Sequence, residues 1–233
     1  MKVGCCGFAG ARASYYPLFP TVEVQETFYR PPSPERVRRW RAEAPAGFSF
    51  TLKAFQGVTH PPTSPTYRRS GLPPGRREGY GLFRPTREVA EAWEATRQAA
   101  LALDAEVVLL QCPPSFTPTP EHLGWLRRFL QGLGPLPFLL AWEPRGAGWT
   151  DPLVAEVCRE GRLLHATDPL ERPPVTPPPY YFRLHGGPHY AHRYTPEELQ
   201  RVAEMVRGKE GWVFFNNSVH MRDDARRLLE ILT

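Results

Sequence analysis

Apolar and polar residues alternate along TVEVQETFYR, residues 21–30. Val22 and Val24 fall on one face, and Thr21, Glu23, Gln25 and Thr27 on the other. A period of two marks a strand over 21–27. Its polar face is either wet or points into a barrel, where groups such as Glu23 and Gln25 need partners from other strands. FSFTLKA, residues 48–54, repeats the pattern, with Phe48, Phe50 and Leu52 opposite Ser49, Thr51 and Lys53. Residues 2–7, 106–112, 137–143, 163–168, 180–186 and 211–217 read as further strands. Several are apolar runs with polar C-terminal ends, as in strands whose outer face is covered by helices.

Between them the period changes to that of helices, predicted at 33–44, 86–103, 119–130, 151–159, 195–207 and 221–232. Thr119-Pro120-Glu121 and Thr195-Pro196-Glu197 are helix-start sequences, with a capping hydroxyl before a proline at the first helical position. Alternating strands and helices predict a parallel sheet, and eight strands predict closure into a single-domain TIM-like (β/α)₈ barrel spanning 1–233. The alternative, an open doubly wound sheet, needs a glycine-rich phosphate turn after the first strand, and Gly4 and Gly7 are a weak version of one. Two units are irregular. Residues 9–20 leave room only for a short helix or loop, and PLERPPVTPPP at 169–179 must cross as extended chain, so one or two helices are replaced by loops. Residues 55–85 read as one long structureless loop, expected to be mobile and to close over the barrel mouth as a lid.

Composition adds little to the fold. Hydrophobic content of 41% and charged content of 23% are ordinary for a globular chain. No run is long and apolar enough to span a membrane. The start, MKVGCCGFAGA, is too broken by glycine for a signal peptide and reads as the first strand. Four cysteines without C-x-x-C spacing point to a reducing cytoplasm. The 28 prolines fit a heat-adapted source. A net charge of +5 permits an anionic partner without demanding nucleic acid. Of 29 basic residues only Lys2, Lys53 and Lys209 are lysine, which singles out Lys53, because a buried lysine can lose its proton and an arginine cannot.

Active sites of such barrels lie at the C-terminal strand ends. Those ends carry Glu23 and Gln25, Lys53, Gln111, Glu143, Asp168, Arg183 and His185, and Asn216 and Asn217, with Arg145 and His60 in the following loops and Tyr29 closing the second segment. Glu23, Glu143 and Asp168 balance Lys53, Arg145 and Arg183, so no cofactor is required for neutrality. A divalent ion on Glu23, Glu143, Asp168 and His185 is the alternative, which three nearby cations disfavour. Retaining glycosidases of this barrel class need carboxylates about 5 Å apart at the fourth and seventh strand ends, where Gln111 and His185 stand. The set suits a small anionic substrate, carboxylate or phosphate, handled by acid/base chemistry. Arg145 and Arg183 would clamp the anion beside the backbone N–H groups of Gly186 and Gly187, with Gln111, His60, Asn216, Asn217 and Tyr29 as further contacts. His185 would be the general acid or base, oriented by Asp168 or Glu143. Lys53 is expected to pair with Glu23, or to serve as a second anion contact or a Schiff-base nucleophile. Cys6 reads as a buried filler.

Two other function classes remain. Arg68, Arg69, Arg76, Arg77, Arg84 and Arg87, interleaved with Tyr67, Tyr80 and Phe83, could track a nucleic-acid backbone and stack bases. A non-catalytic small-ligand sensor would use the same mouth without turnover.

In order along the chain, TVEVQETFY, FSFTLKA followed by VTH, VVLLQCPPSF, AWEPR with Trp149 after it, YYFRLHG and FFNN resemble the successive motifs of the YecE-like family, a domain of unknown function (number seventy-two). The resemblance runs from the first strand to the last helix. It implies a TIM-barrel-like fold and the shared polar positions, and no reaction. This chain departs from the family pattern in three places. Gly4, Cys5, Cys6, Gly7 and Phe8 stand where the family resembles G-T-S-G-W. Gln25 replaces an asparagine, and Pro144 intervenes before Arg145.

Overall fold

The computed structural model describes residues 1–72 and 78–233. Eight parallel strands close in sequence order: β1 (Lys2–Cys6), β2 (Thr21–Val24), β3 (Ser49–Lys53), β4 (Ala105–Gln111), β5 (Leu139–Glu143), β6 (Leu163–Thr167), β7 (Tyr180–Leu184) and β8 (Gly211–Phe215). The ring is sealed by β1 on β8, in the register Lys2 opposite Trp212. No edge is left unpaired, so the alternation of each strand decides only inside against outside. Val22, Val24, Phe50 and Leu52 lie outside, in the core shared with the helices, while Val107, Leu109, Ala141, Ala166, Tyr181 and Phe214 fill the interior.

The helices are α1 (Arg12–Tyr15), α2 (Glu26–Tyr29), α3 (Pro34–Glu43), α4 (Gln56–Thr59), α5 (Arg87–Leu103), α6 (Pro120–Gln131), α7 (Asp151–Gly161), α8 (Pro196–Val206) and α9 (Met221–Leu232). Their starts follow the capping logic of the sequence. The hydroxyls of Ser33, Thr86, Thr119 and Thr195 accept from backbone N–H groups three residues on, and Glu198 returns a bond to the Thr195 N–H. None of the helices described is long and apolar enough to cross a membrane.

The irregular units appear where the prolines and short spacings put them. Only α1 stands between β1 and β2, and no helix separates β6 from β7. That proline-rich crossover is tied to β6 through His165. Its backbone N–H donates to Thr176 Oγ1 at 3.1 Å, and its ring Nδ1 accepts from Val175 N–H at 3.2 Å.

Two expectations are corrected. The strand over 21–27 stops at Val24, because Gln25 takes helical dihedrals and opens α2. Thr27 therefore leaves the inward row and donates its hydroxyl to the Lys53 carbonyl at 2.7 Å. The stretch 55–85 is not structureless over its described part. It forms α4 and a 3-10 turn over Pro65–Arg69, and Phe55, Val58, Tyr67 and Phe83 are buried. Tyr67 donates to the His60 carbonyl at 3.0 Å, and Gly81 N–H donates to the Gly57 carbonyl at 2.7 Å. A side chain at Gly81, whose φ is +87°, would overlap the His60 carbonyl. Apolar anchors and backbone bonds of this kind hold a segment on the body of the protein.

The N-terminal end of the barrel is plugged by charge. Lys2 Nζ lies 2.5 Å from Glu106 Oε1, and Ser49 and Trp212 Nε1 donate to Glu106 Oε2.

Candidate functional site at the barrel mouth

The strand period carries Glu23, Lys53, Glu143 and Arg183 inward on four different strands, just above the apolar filling. Arg183 is the centre of this layer. Its Nε and Nη2 donate to the two oxygens of Glu23 at 3.0 and 2.8 Å, and its Nη1 donates to Glu143 Oε2 at 2.5 Å. Tyr181, two residues earlier on the same face, donates to Glu23 Oε2 at 2.7 Å and meets Thr51 Oγ1 at 3.0 Å. Gln25 donates its amide to Glu23, and Gln111 donates to both oxygens of Glu143 at 3.1 and 3.2 Å. Burial alone pushes both carboxyls up. At Glu23 the Arg183 charge and the hydrogen bonds from Arg183 and Tyr181 reverse that, and at Glu143 the charges of Arg183 and Arg145 with His185 do so, leaving Glu23 below and Glu143 well below the ordinary carboxylate range.

This network corrects one pairing. Glu23 pairs with Arg183 rather than Lys53. Arg183, 1% exposed, is bonded to two carboxylates and to Cys6 Sγ while also bordering the cavity beside Lys53. A guanidinium presents five donors in a rigid fork, and here that fork engages both carboxylates at once.

Lys53 is left with no ion pair or hydrogen bond from Nζ among the described residues. Its Nζ sits 3.6 Å from the centroid of the Phe28 ring. Burial first, then the charges of Arg183 and Arg145, bring its pKa down to about 7. A cavity of about 350 Å³ opens beside it, lined also by Cys6, Gln25, Tyr29, Gln111, Arg145 and Asn216. Burial and the Glu23 charge hold the Cys6 thiol well above its usual pKa, so it stays protonated and unreactive.

Arg145 stands at the rim. Its Nε donates to Glu143 Oε1 at 2.5 Å and its Nη1 to Tyr190 Oη at 3.3 Å, while Nη2 lies 3.0 and 3.2 Å from the ring nitrogens of His185. Arg145 and Tyr190 also border a second cavity of about 470 Å³, lined further by Glu143, His165, Asp168, Arg172 and His185. His185 Nε2 is 3.1 Å from Glu143 Oε1, and Asn216 Nδ2 is 3.4 Å from its Nδ1. Glu143 is therefore the carboxylate that orients the ring. Asp168 instead accepts from the backbone N–H of His185 at 2.9 Å and of Leu170 at 3.1 Å. Burial raises the Asp168 pKa against these bonds.

Three candidates turn away from the ligand space. His60 packs edge-on against Phe28 and bonds to Thr59 Oγ1 at 2.8 Å. Burial, with Lys53 next, pushes its pKa down to about 3, so it is neutral at physiological pH. Asn217 donates to the His192 carbonyl at 2.9 Å and to Asp224 at 2.6 Å, anchoring the loop before α9. The Gly186 N–H is taken by Tyr194 Oη at 2.7 Å and does not face the mouth. Tyr29 lines the smaller cavity, its ring covered by the Arg69 guanidinium at 3.6 Å.

Tyr181 and Tyr190 were missed as site residues. The first was readable from its place on the Arg183 face of β7. The second comes from the loop after β7, where no period marks it. Among the described residues no group of three or more His, Cys, Asp or Glu is placed to hold a metal ion. Of the aromatics proposed to stack bases, Tyr67 and Phe83 are buried, and Arg76 and Arg77 lie outside the described residues.

A family model described as "Protein of unknown function DUF72" matches residues 11–233. The UPF0759 protein YunF of Bacillus subtilis (strain 168) is 24% identical, over 94% of this chain and 85% of its own. A crystal structure of a DUF72 family protein from Enterococcus faecalis V583 is similar with a TM-score of 0.74 and 20% identity, covering 99% of this chain and 94% of that one. A D-psicose 3-epimerase structure is similar in fold, with a TM-score of 0.62 at 13% identity, covering 99% and 98%.

Proposed function

The chain belongs to the DUF72 family of proteins of unknown function, and we propose that this member is an enzyme acting by acid/base chemistry on a small anionic substrate bound at the barrel mouth. One observation carries the reading. The inward carboxylates Glu23 and Glu143 are already neutralised by Arg183 and Arg145, and Lys53 adds a further basic group to the same cavity with no carboxylate paired to it among the described residues. A bound anion supplies the missing charge, and Arg145, whose side chain is 27% exposed at the rim, is among the described residues the cation of this network most accessible to a ligand. His185, held by Glu143 at the border of the adjoining cavity, is the proton carrier. The sugar-enzyme barrel shares the fold at 13% identity, which lends this site no substrate.

Isothermal titration with inorganic phosphate and with oxalate tests the reading. Saturable binding is expected for at least one of them, weakened roughly tenfold or more in Arg145→Gln, a loss of about 1.4 kcal/mol. Absence of saturable binding, or affinity unchanged in Arg145→Gln, overturns it.

A further inference from the structure

We propose that Lys53 is a covalent catalytic residue, its Nζ condensing with the carbonyl carbon of a 2-oxo acid whose carboxylate rests on Arg145. The inference rests on the anion reading above and names its substrate class. Two features of the geometry carry it, and a third, the protonation state, supports it.

The amine is buried, 7% exposed, yet borders the cavity of about 350 Å³, and Nζ engages no carboxylate or hydrogen-bond acceptor among the described residues. The Phe28 ring beneath it attracts the ammonium form through its π face but engages the amine in no ion pair. Lysine elsewhere in the chain is used differently: Lys2 is locked on Glu106, and Lys209 lies over Tyr180 on the surface. The backbone of Lys53 is itself fixed, its carbonyl accepting from Thr27 Oγ1.

The second feature is the neighbour. Arg145 lines the same cavity, and its charge is one of the causes that favour the neutral amine. A 2-oxo acid carries its carboxylate one bond from its carbonyl carbon, so it suits an amine and a guanidinium that share one small space. The third is the protonation state. A solvated lysine with a pKa of about 10.4 is neutral in roughly one molecule in two thousand at pH 7, whereas a pKa of about 7 leaves about half of Lys53 neutral. Desolvation and adjacent cations are the means by which lysines become nucleophiles.

The step balances without an external oxidant or reductant. The Nζ lone pair attacks the carbonyl carbon, and the oxygen takes a proton from nitrogen to give the carbinolamine. Both hydrogens of the neutral amine then leave with that oxygen as one water, and C=N replaces C=O.

Pyruvate with cyanoborohydride, followed by intact mass and peptide mapping of the full chain, tests the assignment. The expected result is a single reduced pyruvate on Lys53, at a rate that rises from pH 6 to 8. Excess oxalate should slow trapping roughly tenfold, as should Arg145→Gln, and Lys53→Met should abolish it. Modification spread over Lys2, Lys209 and the N-terminal amine without preference for Lys53 overturns the proposal. No adduct at Lys53, with phosphate or oxalate still binding in an Arg145-dependent way, overturns the covalent step and leaves the anion reading standing. No Arg145-dependent binding of either anion, together with no adduct, removes both.

Discussion

Arg183 and Glu23 meet inside the barrel as a two-bonded ion pair, with Nη2 to Oε1 at 2.8 Å and Nε to Oε2 at 3.0 Å, both side chains at 1% exposure or less. They come from β7 and β2, 160 residues apart in the chain. Glu143 shares the same guanidinium, so one arginine holds two strand ends in place. Breaking a buried pair by removing one partner costs much more than the pair contributes over a well-packed apolar replacement, because the charge left behind is stranded.

Glu23→Gln is therefore expected to cost about 3–5 kcal/mol in urea melts. Arg183 keeps Glu143 in that variant, so adding Arg183→Met should bring a total loss smaller than the sum of the two single losses rather than a return to wild type. Losses that simply add in the double variant would show that the two residues are uncoupled.

Lys53→Met strands no partner, and its signature lies in pH. The Lys53 pKa falls to about 7 in the folded protein, against about 10.4 in the unfolded chain. Between those values the unfolded state binds more protons, so stability rises with pH across that window, by on the order of 5 kcal/mol in all. Below pH 7 both states are protonated and the penalty is constant. Lys53→Met should remove the rise. A wild-type-minus-variant stability difference that stays flat from pH 7 to 10 would mean that the amine is solvated.

His60 provides an independent check on burial at the mouth. With its folded pKa pushed down to about 3, its ring signals in a proton NMR titration should not move between pH 5 and 8. Its contribution to stability is complete above the unfolded value of about 6.5 and is lost as pH falls from there towards 3. A His60 midpoint near 6.5 would contradict the packing against Phe28.

Gly186→Ala tests the turn that places the loop after β7. The residue has φ of +71°, and a Cβ there would lie 2.4 Å from the Asn217 Cβ. Both strain and overlap oppose it, so a loss of about 1–3 kcal/mol is expected. A variant as stable as wild type in thermal melts would mean that this turn relaxes without cost.

The local sequence was enough for the barrel itself. Alternation at Val22, Glu23, Val24 and at Phe50, Thr51, Leu52, Lys53 needs only a period of two, and the long helix starts are written in Ser33, Thr86, Thr119 and Thr195. The missing helix after β6 is equally local, because proline lacks an N–H and fixes φ wherever it stands. That Glu23, Lys53, Glu143, Asp168, Arg183 and His185 come from inward or strand-end positions follows from the same rule. Which of them pair does not. Glu23 reaches Arg183 across the interior instead of Lys53 on the neighbouring strand, and the same guanidinium also holds Glu143. That choice depends on the barrel diameter and on side-chain length. Closure likewise turned Asp168 to the His185 backbone, Asn217 to Asp224 and the Gly186 N–H to Tyr194, and it brought Tyr190 to Arg145 from an unpatterned loop. Among the described residues the interior left the Lys53 amine without a paired carboxylate, a property set by what is packed around it and carried by no pattern along the chain.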